Sequence, residues 1–195
     1  MTDKFQNKYR TTSTRAPWWN YCNNGAYFVT ICTKNRECYF GNINTWKMEV
    51  TPIGEIAQSC WQEILQHLAY VRLDEFVIMP NHVHGIIIID QSKYKIKDNL
   101  LHGDGVYTLH ATYIRQLPIA NQQMSSISPK FGSLGSIVRS YKSAVTRNVH
   151  LNHFNMSWQP RFYDIIIRSK RSHQRISKYI LRNPVNWYYD KLKYQ

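Results

Sequence analysis

The segment Phe76-Val77-Ile78-Met79-Pro80-Asn81-His82-Val83-His84-Gly85-Ile86-Ile87-Ile88-Ile89 is rich enough in β-branched residues to read as strand on both sides of its Pro-Asn turn signal. Inside it, His82 and His84 flank Val83. Side chains two apart on a strand share a face, with Cα atoms about 7 Å apart. The two imidazoles therefore point one way, and Val83 points the other way into a hydrophobic layer. Two neutral nitrogen ligands at that separation can converge on one metal ion through bonds of about 2 Å.

The surrounding chain is basic. It has 25 Lys+Arg against 12 Asp+Glu in 195 residues, a formal net charge of +13. Between Lys130 and Arg182, 11 basic residues face a single acid, Asp164. So uneven a field favours a polyanionic partner and predicts binding that weakens steeply with salt. A two-histidine metal platform in such a chain points to phosphodiester chemistry on nucleic acid. The four cysteines (Cys22, Cys32, Cys38 and Cys60) form no close Cys-x-x-Cys pair, and residues 1–15 are too polar for a signal peptide. No apolar run is long enough to span a bilayer. We expect a cytoplasmic, nucleoid-associated protein with free thiols, Cys32 and Cys60 in its core, and no membrane partner.

The length suits one domain, residues 1–195, with a basic arm at 1–20 and an insertion at 91–129 that shows no sustained period. A first strand is expected at Tyr27–Thr33. A helix follows Thr51-Pro52, with Ile56, Cys60, Ile64, Leu65 and Leu68 at helical spacing. Next comes the hairpin around Pro80-Asn81. Ser133 can cap a second long helix with Leu134, Ile137, Val138, Tyr141 and Val145 on one stripe. Phe162–Ile167 reads as strand, and a last helix from about Ser172 to Leu181 stops at Asn183-Pro184. The first six elements match an α+β fold, a ferredoxin-like βαββαβ antiparallel sheet with helices on one face. The extra C-terminal helix is free to cover the other face.

That helix carries Ile176, Tyr179, Ile180 and Asn183 on one side. Laid over His82 and His84, it would bring the Asn183 amide oxygen as a third ligand and the Tyr179 phenol beside the same ion. Two nitrogens and an oxygen suit Mg²⁺ or Mn²⁺ with positions left for phosphate oxygens. A tyrosine nucleophile would conserve the energy of the broken bond as phosphotyrosine. Tyr141 and Tyr163 rank below Tyr179, since neither has a polar ligand candidate one turn on.

These blocks resemble a known family. Pro80-Asn81-His82-Val83-His84-Gly85 is similar to the His-hydrophobic-His signature of HUH single-strand nucleases. With Tyr27-Phe28-Val29-Thr30, Gly132–Ser143, Trp158–Arg168 and Tyr179–Pro184, the chain resembles the REP-associated tyrosine transposases, relatives of small insertion-sequence transposases. The resemblance implies a metal-dependent single-stranded DNA endonuclease and strand transferase acting at palindromic hairpins through a 5′-phosphotyrosine intermediate. It implies Tyr179 as the catalytic residue, and His82, His84 and Asn183 as ligands of Mg²⁺ or Mn²⁺. It leaves monomer and homodimer both open, and it offers no counterpart for the 91–129 insertion.

DNA contacts are expected from Arg139, Lys142, Arg161 and Arg168 in the basic region, and from Arg10 and Arg15 in the arm. Trp18, Trp19 and Tyr21 are candidates either for base stacking or for anchoring the core. Two other readings stand beside the nuclease. One is a non-catalytic nucleic-acid-binding module on the same sheet. The other is an HUH replication initiator, for which 195 residues leave little room.

Overall fold

The computed structural model describes residues 15–92, 129–190 and 192–193. Strand β1 (Gly25–Cys32) lies at the centre of the main sheet. It pairs antiparallel with β5 (His82–Ile89) on one side and with β6 (Tyr163–Ile167) on the other, while β4 (Val71–Met79) pairs antiparallel with the far side of β5. The order is β4-β5-β1-β6, an antiparallel sheet in an α+β fold. The Pro80-Asn81 turn connects β4 to β5, as its residues predict.

Alternation along β1 and β5 assigns two different layers. Tyr27, Val29, Ile31, Val83, Ile87 and Ile89 join a core with α1 (Pro52–His67) and α2 (Leu134–Leu151). Phe28 and Ile86, one residue out of phase, form a second cluster with Ile176 and Ile180 of α3 (Lys170–Arg182) and with Ile167 of β6. The extra helix thus covers the face that α1 and α2 leave open. Both long helices start where expected: the Thr51 and Ser133 hydroxyls accept from the Gly54 and Ser136 amides, each at 3.2 Å. Tyr141 donates its hydroxyl to the Ala57 carbonyl at 3.1 Å, locking α2 to α1. This buried tyrosine is core, in keeping with its low rank as a nucleophile. All four cysteines are free, with Cys32 and Cys60 buried as expected.

One element has no counterpart in the sequence reading, which passes directly from the first strand to the first helix. A small hairpin, β2 (Gly41–Asn44) and β3 (Lys47–Val50), stands between them. Its strands are too short to show a period. Its turn places Thr45 (φ 47°) and Trp46 (φ 67°) in the left-handed region that usually selects Asn or Gly. The hairpin supplies Ile43 to a third cluster with Met79 and Trp187. The 91–129 insertion lies almost wholly outside the described residues. Its two edges meet, because the Gln91 amide donates to the carbonyls of Cys22 (3.0 Å) and Gly132 (3.3 Å).

Gly85 decides how closely α1 approaches the histidine strand. A Cβ there would lie 2.2 Å from the ring of Trp61, which is fully buried directly beneath. Gly85→Ala should therefore lower stability by about 1–3 kcal/mol through overpacking, read as a shift in the urea midpoint at unchanged m-value.

Candidate active site

The site is assembled where β5 leaves its turn. His82 and His84 are both buried and face α3, their ring centroids 4.4 Å apart. Each ring is held from behind. The Asn81 side-chain N–H groups donate to the carbonyls of Arg36 (3.1 Å) and Leu192 (2.8 Å), which turns its Oδ1 toward His82 Nδ1 at 2.8 Å. Only a protonated Nδ1 satisfies that oxygen, so His82 Nε2 carries its lone pair into the site. Thr30 Oγ1, the cross-strand neighbour, lies 2.9 Å from His84 Nδ1. That leaves His84 Nε2 facing Tyr179, whose hydroxyl is 3.2 Å away.

Helix α3 brings Tyr179 to this point because Ile176 and Ile180 are sunk in the apolar layer on either side of it. A short bond between His173 Nε2 and Asp74 Oδ2, 2.7 Å, ties the first turn of α3 to β4. Tyr179 also stands edge-on to Phe28 and His84, with centroids 6.0 and 5.3 Å apart. It remains 45% exposed, so its phenol is open to a macromolecular substrate. Burial raises its pKa, the Asp190 carboxylate adds to the rise, and the Asn183 amide opposes it. Asn183 caps α3 and is itself buried, its Oδ1 without a hydrogen-bond partner.

The sequence reading missed Asp190. Beyond Asn183 the chain continues through a 3₁₀ turn, Trp187–Tyr189, and returns to the histidines. Trp187 is buried against Ile43 and Met79, which fixes the return. Asp190 Oδ1 accepts from the Leu192 amide at 2.8 Å, while its buried Oδ2 has no hydrogen-bond partner and sits 3.9 Å from His82 Nε2. Ligand atoms of His82, His84 and Asp190 all lie within 4.8 Å of one another. Two buried atoms without a hydrogen bond, His82 Nε2 and Asp190 Oδ2, thus lie together beside His84, and Asn183, whose buried Oδ1 is also unbonded, neighbours His82 and Tyr179. Leaving such atoms unpaired is costly unless a cation completes them, so the residues fit a divalent metal ion. Nothing in the order of residues marks Asp190 as a partner of His82; only the fold brings them together.

A broad groove runs outward from Tyr179 and His84 between α2, β6 and α3, lined by Arg139, Arg161, Arg175 and Tyr163 among others. Its volume, about 2770 Å³, exceeds the roughly 300–1,000 Å³ of small-molecule pockets, which suits a polymeric ligand. Of the cations expected to touch DNA, Arg15, Arg139, Lys142 and Arg161 line this groove. Two of the four also serve the fold. Lys142 donates to the carbonyls of Gln159 and Arg161, both at 2.7 Å, and burial lowers its pKa to about 8. Arg15 lies 3.5 Å from buried Asp164 and stacks on Phe162, so it anchors the start of the described chain. Arg168 packs over Trp18, 4.6 Å from its ring centre. Trp19 donates to the Tyr27 hydroxyl at 3.0 Å and Tyr21 packs on the core, so both anchor the core; Trp18 alone of the three is largely exposed. Arg10 lies outside the described residues.

Burial lowers the pKa of His82 well below its usual 6.5 and that of His84 to about 3. Between pH 6.5 and about 3 the unfolded chain binds protons that folded His84 refuses. Stability is therefore complete above this window and falls as pH drops through it. Urea midpoints should decline from pH 7 to pH 4, and His84→Gln should flatten that slope.

No protein-family model matches the sequence. An uncharacterised protein of Haemophilus influenzae (strain Rd) is 39% identical over 196 residues, covering 98% of each chain. Among solved structures, a REP-associated tyrosine transposase bound to a REP hairpin superposes with a TM-score of 0.56 at 18% identity, over 93% of this chain and 77% of that one. At that identity the likeness is one of fold: the chain has a transposase-like fold. No described helix is long and apolar enough to cross a membrane.

Proposed function

The chain belongs to the same family as its Haemophilus influenzae relative, and with its transposase-like fold as a second premise we propose that it is a metal-dependent single-stranded DNA endonuclease and strand transferase. One observation carries this reading. The Tyr179 hydroxyl lies 3.2 Å from His84 Nε2, beside the buried, unbonded ligand atoms of His82, Asn183 and Asp190. A nucleophile and a cation site share one point at the head of a basic groove.

In this reading the sheet is ferredoxin-like, and α3 is the added helix that delivers the nucleophile. His82, His84 and Asn183, with Asp190 beside them, would hold Mg²⁺ or Mn²⁺. Such an ion would supply polarisation of the scissile phosphate and charge stabilisation of the leaving oxygen. The Tyr179 oxygen attacks phosphorus and gives up its proton to solvent. The bond from phosphorus to the 3′ oxygen breaks with its electron pair going to that oxygen, which takes a proton from solvent and departs as a 3′-OH. The product is a 5′-phosphotyrosine from which a second 3′-OH can recover the strand, with no nucleotide cofactor. Arg139, Arg161 and Arg175 line the path of the strand, and the solved transposase's REP hairpin makes palindromic hairpins the substrate of choice. We place the protein in the cytoplasm, at the nucleoid. A binding module alone would have no use for unbonded ligand atoms buried against a half-exposed tyrosine.

Incubation with Mn²⁺ and a set of palindromic single-stranded hairpins should yield a covalent protein–DNA adduct on a denaturing gel. Tyr179→Phe should abolish it, and an adduct surviving that change would remove this tyrosine from the mechanism. His82→Ala should abolish the adduct while leaving salt-sensitive DNA binding within about threefold of wild type, since phosphate contacts supply most of that affinity.

A further inference from the structure

Arg36 lies in the turn that follows β1, and neither the metal set nor the expected DNA contacts include it. The backbone there is unusual. Asn35 (φ 53°) and Arg36 (φ 58°) are consecutive non-glycine residues in the left-handed region. Such conformations persist only where surrounding bonds impose them, and they cluster at functional sites. The bonds that impose this one are specific. Asn81 donates to the Arg36 carbonyl at 3.1 Å, and the Thr33 hydroxyl donates to the Glu37 carbonyl at 2.8 Å. Asn81 is also the residue that orients His82, so one side chain sets both the metal-facing imidazole and the arginine turn.

The guanidinium is equally telling. Its Nη1 is buried and has no hydrogen-bond partner, and no carboxylate lies within 4.0 Å of the group among the described residues. Arg36 lines the same groove as His84, Tyr179, Asn183 and Asp190. The guanidinium also reaches Cys32, yet its buried Nη1 keeps an unpartnered donor, which is costly beside a cation site. It becomes favourable when an anion shared with that site arrives, and a guanidinium fork matches phosphate oxygens in particular.

We propose that Arg36 is a phosphate-binding catalytic residue, donating to a non-bridging oxygen of the phosphodiester that Tyr179 attacks. The inference rests on the function proposed above and adds a group to it. Charge grows on the non-bridging oxygens as the new bond forms, so a donor fixed at that point acts most strongly in the transition state. The covalent bookkeeping of the reaction is unchanged, since Arg36 neither gains nor loses a proton.

Inorganic phosphate tests the subsite without DNA. Enhancement of ³¹P relaxation by Mn²⁺ held on the full-length protein reports phosphate bound beside the ion. Arg36→Gln should weaken phosphate about tenfold or more, and Arg36→Lys by less, as expected for loss of a charge-assisted bond. Mn²⁺ affinity and thermal midpoint should stay at wild-type values, because the Arg36 carbonyl and its bond to Asn81 are untouched. Unchanged phosphate binding in a folded Arg36→Gln protein would overturn the proposal. So would a parallel loss of Mn²⁺ affinity, which would make Arg36 a scaffold residue. The hairpin assay separates this inference from the one it rests on. Arg36→Gln forming adduct at the wild-type rate would sink the subsite and leave the nuclease standing. Arg36-dependent phosphate binding with no adduct on any hairpin would keep the subsite and sink the nuclease.

Discussion

Strand β5 is buried on both faces, and the site depends on what each face is made of. One face, Val83, Gly85 and Ile87, is packed by α1 and α2. The other continues from Ile86 into the two histidines, under α3. Buried imidazoles are held neutral, so each needs its ring nitrogens satisfied or reserved. Asn81 and Thr30 satisfy the inner nitrogens, His84 Nε2 meets the Tyr179 hydroxyl, and His82 Nε2 is left without a hydrogen bond. A one-residue slip of β5 would exchange the layers, placing histidines in the apolar core and valine in the site. The register, Thr30 opposite His84 and Cys32 opposite His82, is therefore as much a part of the chemistry as the side chains.

Much of this was legible in the residues because it follows from local periods. Alternation around His82-Val83-His84 foretold which side chains share a face. The three-and-four spacing of Ile176, Tyr179, Ile180 and Asn183 foretold which side of α3 would meet the sheet, and those residues do meet it. What escaped notice obeys no period. Asp190 acts only because Trp187 finds a seat against Ile43 and Met79, residues from a hairpin and a strand far back in the chain. The hairpin itself turns through Thr45 and Trp46 at positive φ, which residue preferences argue against. Arg36 is hidden for the same reason: its importance lies in a backbone conformation and a contact with Asn81 forty-five residues away.

Charge was legible as a total but less so by residue. The surplus between Lys130 and Arg182 does line a groove. Yet Lys142 supports the 159–161 turn and Arg15 covers a buried aspartate, so part of it serves the fold. Composition counts cations; it does not reveal which of them face carbonyls. The cations that line the groove, among them Arg36, Arg139, Arg161 and Arg175, come from well-separated parts of the chain.

Gly85 has a mechanical consequence. With no side chain between the strand and the Trp61 ring, the histidines rest on close-packed aromatic and aliphatic groups that yield little under load. The opposite wall is built differently, since α3 meets the sheet through Ile176 and Ile180, the Tyr179 ring and hydroxyl, and the His173–Asp74 bond. For the proposed reaction, the histidine wall is then the fixed reference against which α3 sets the tyrosine.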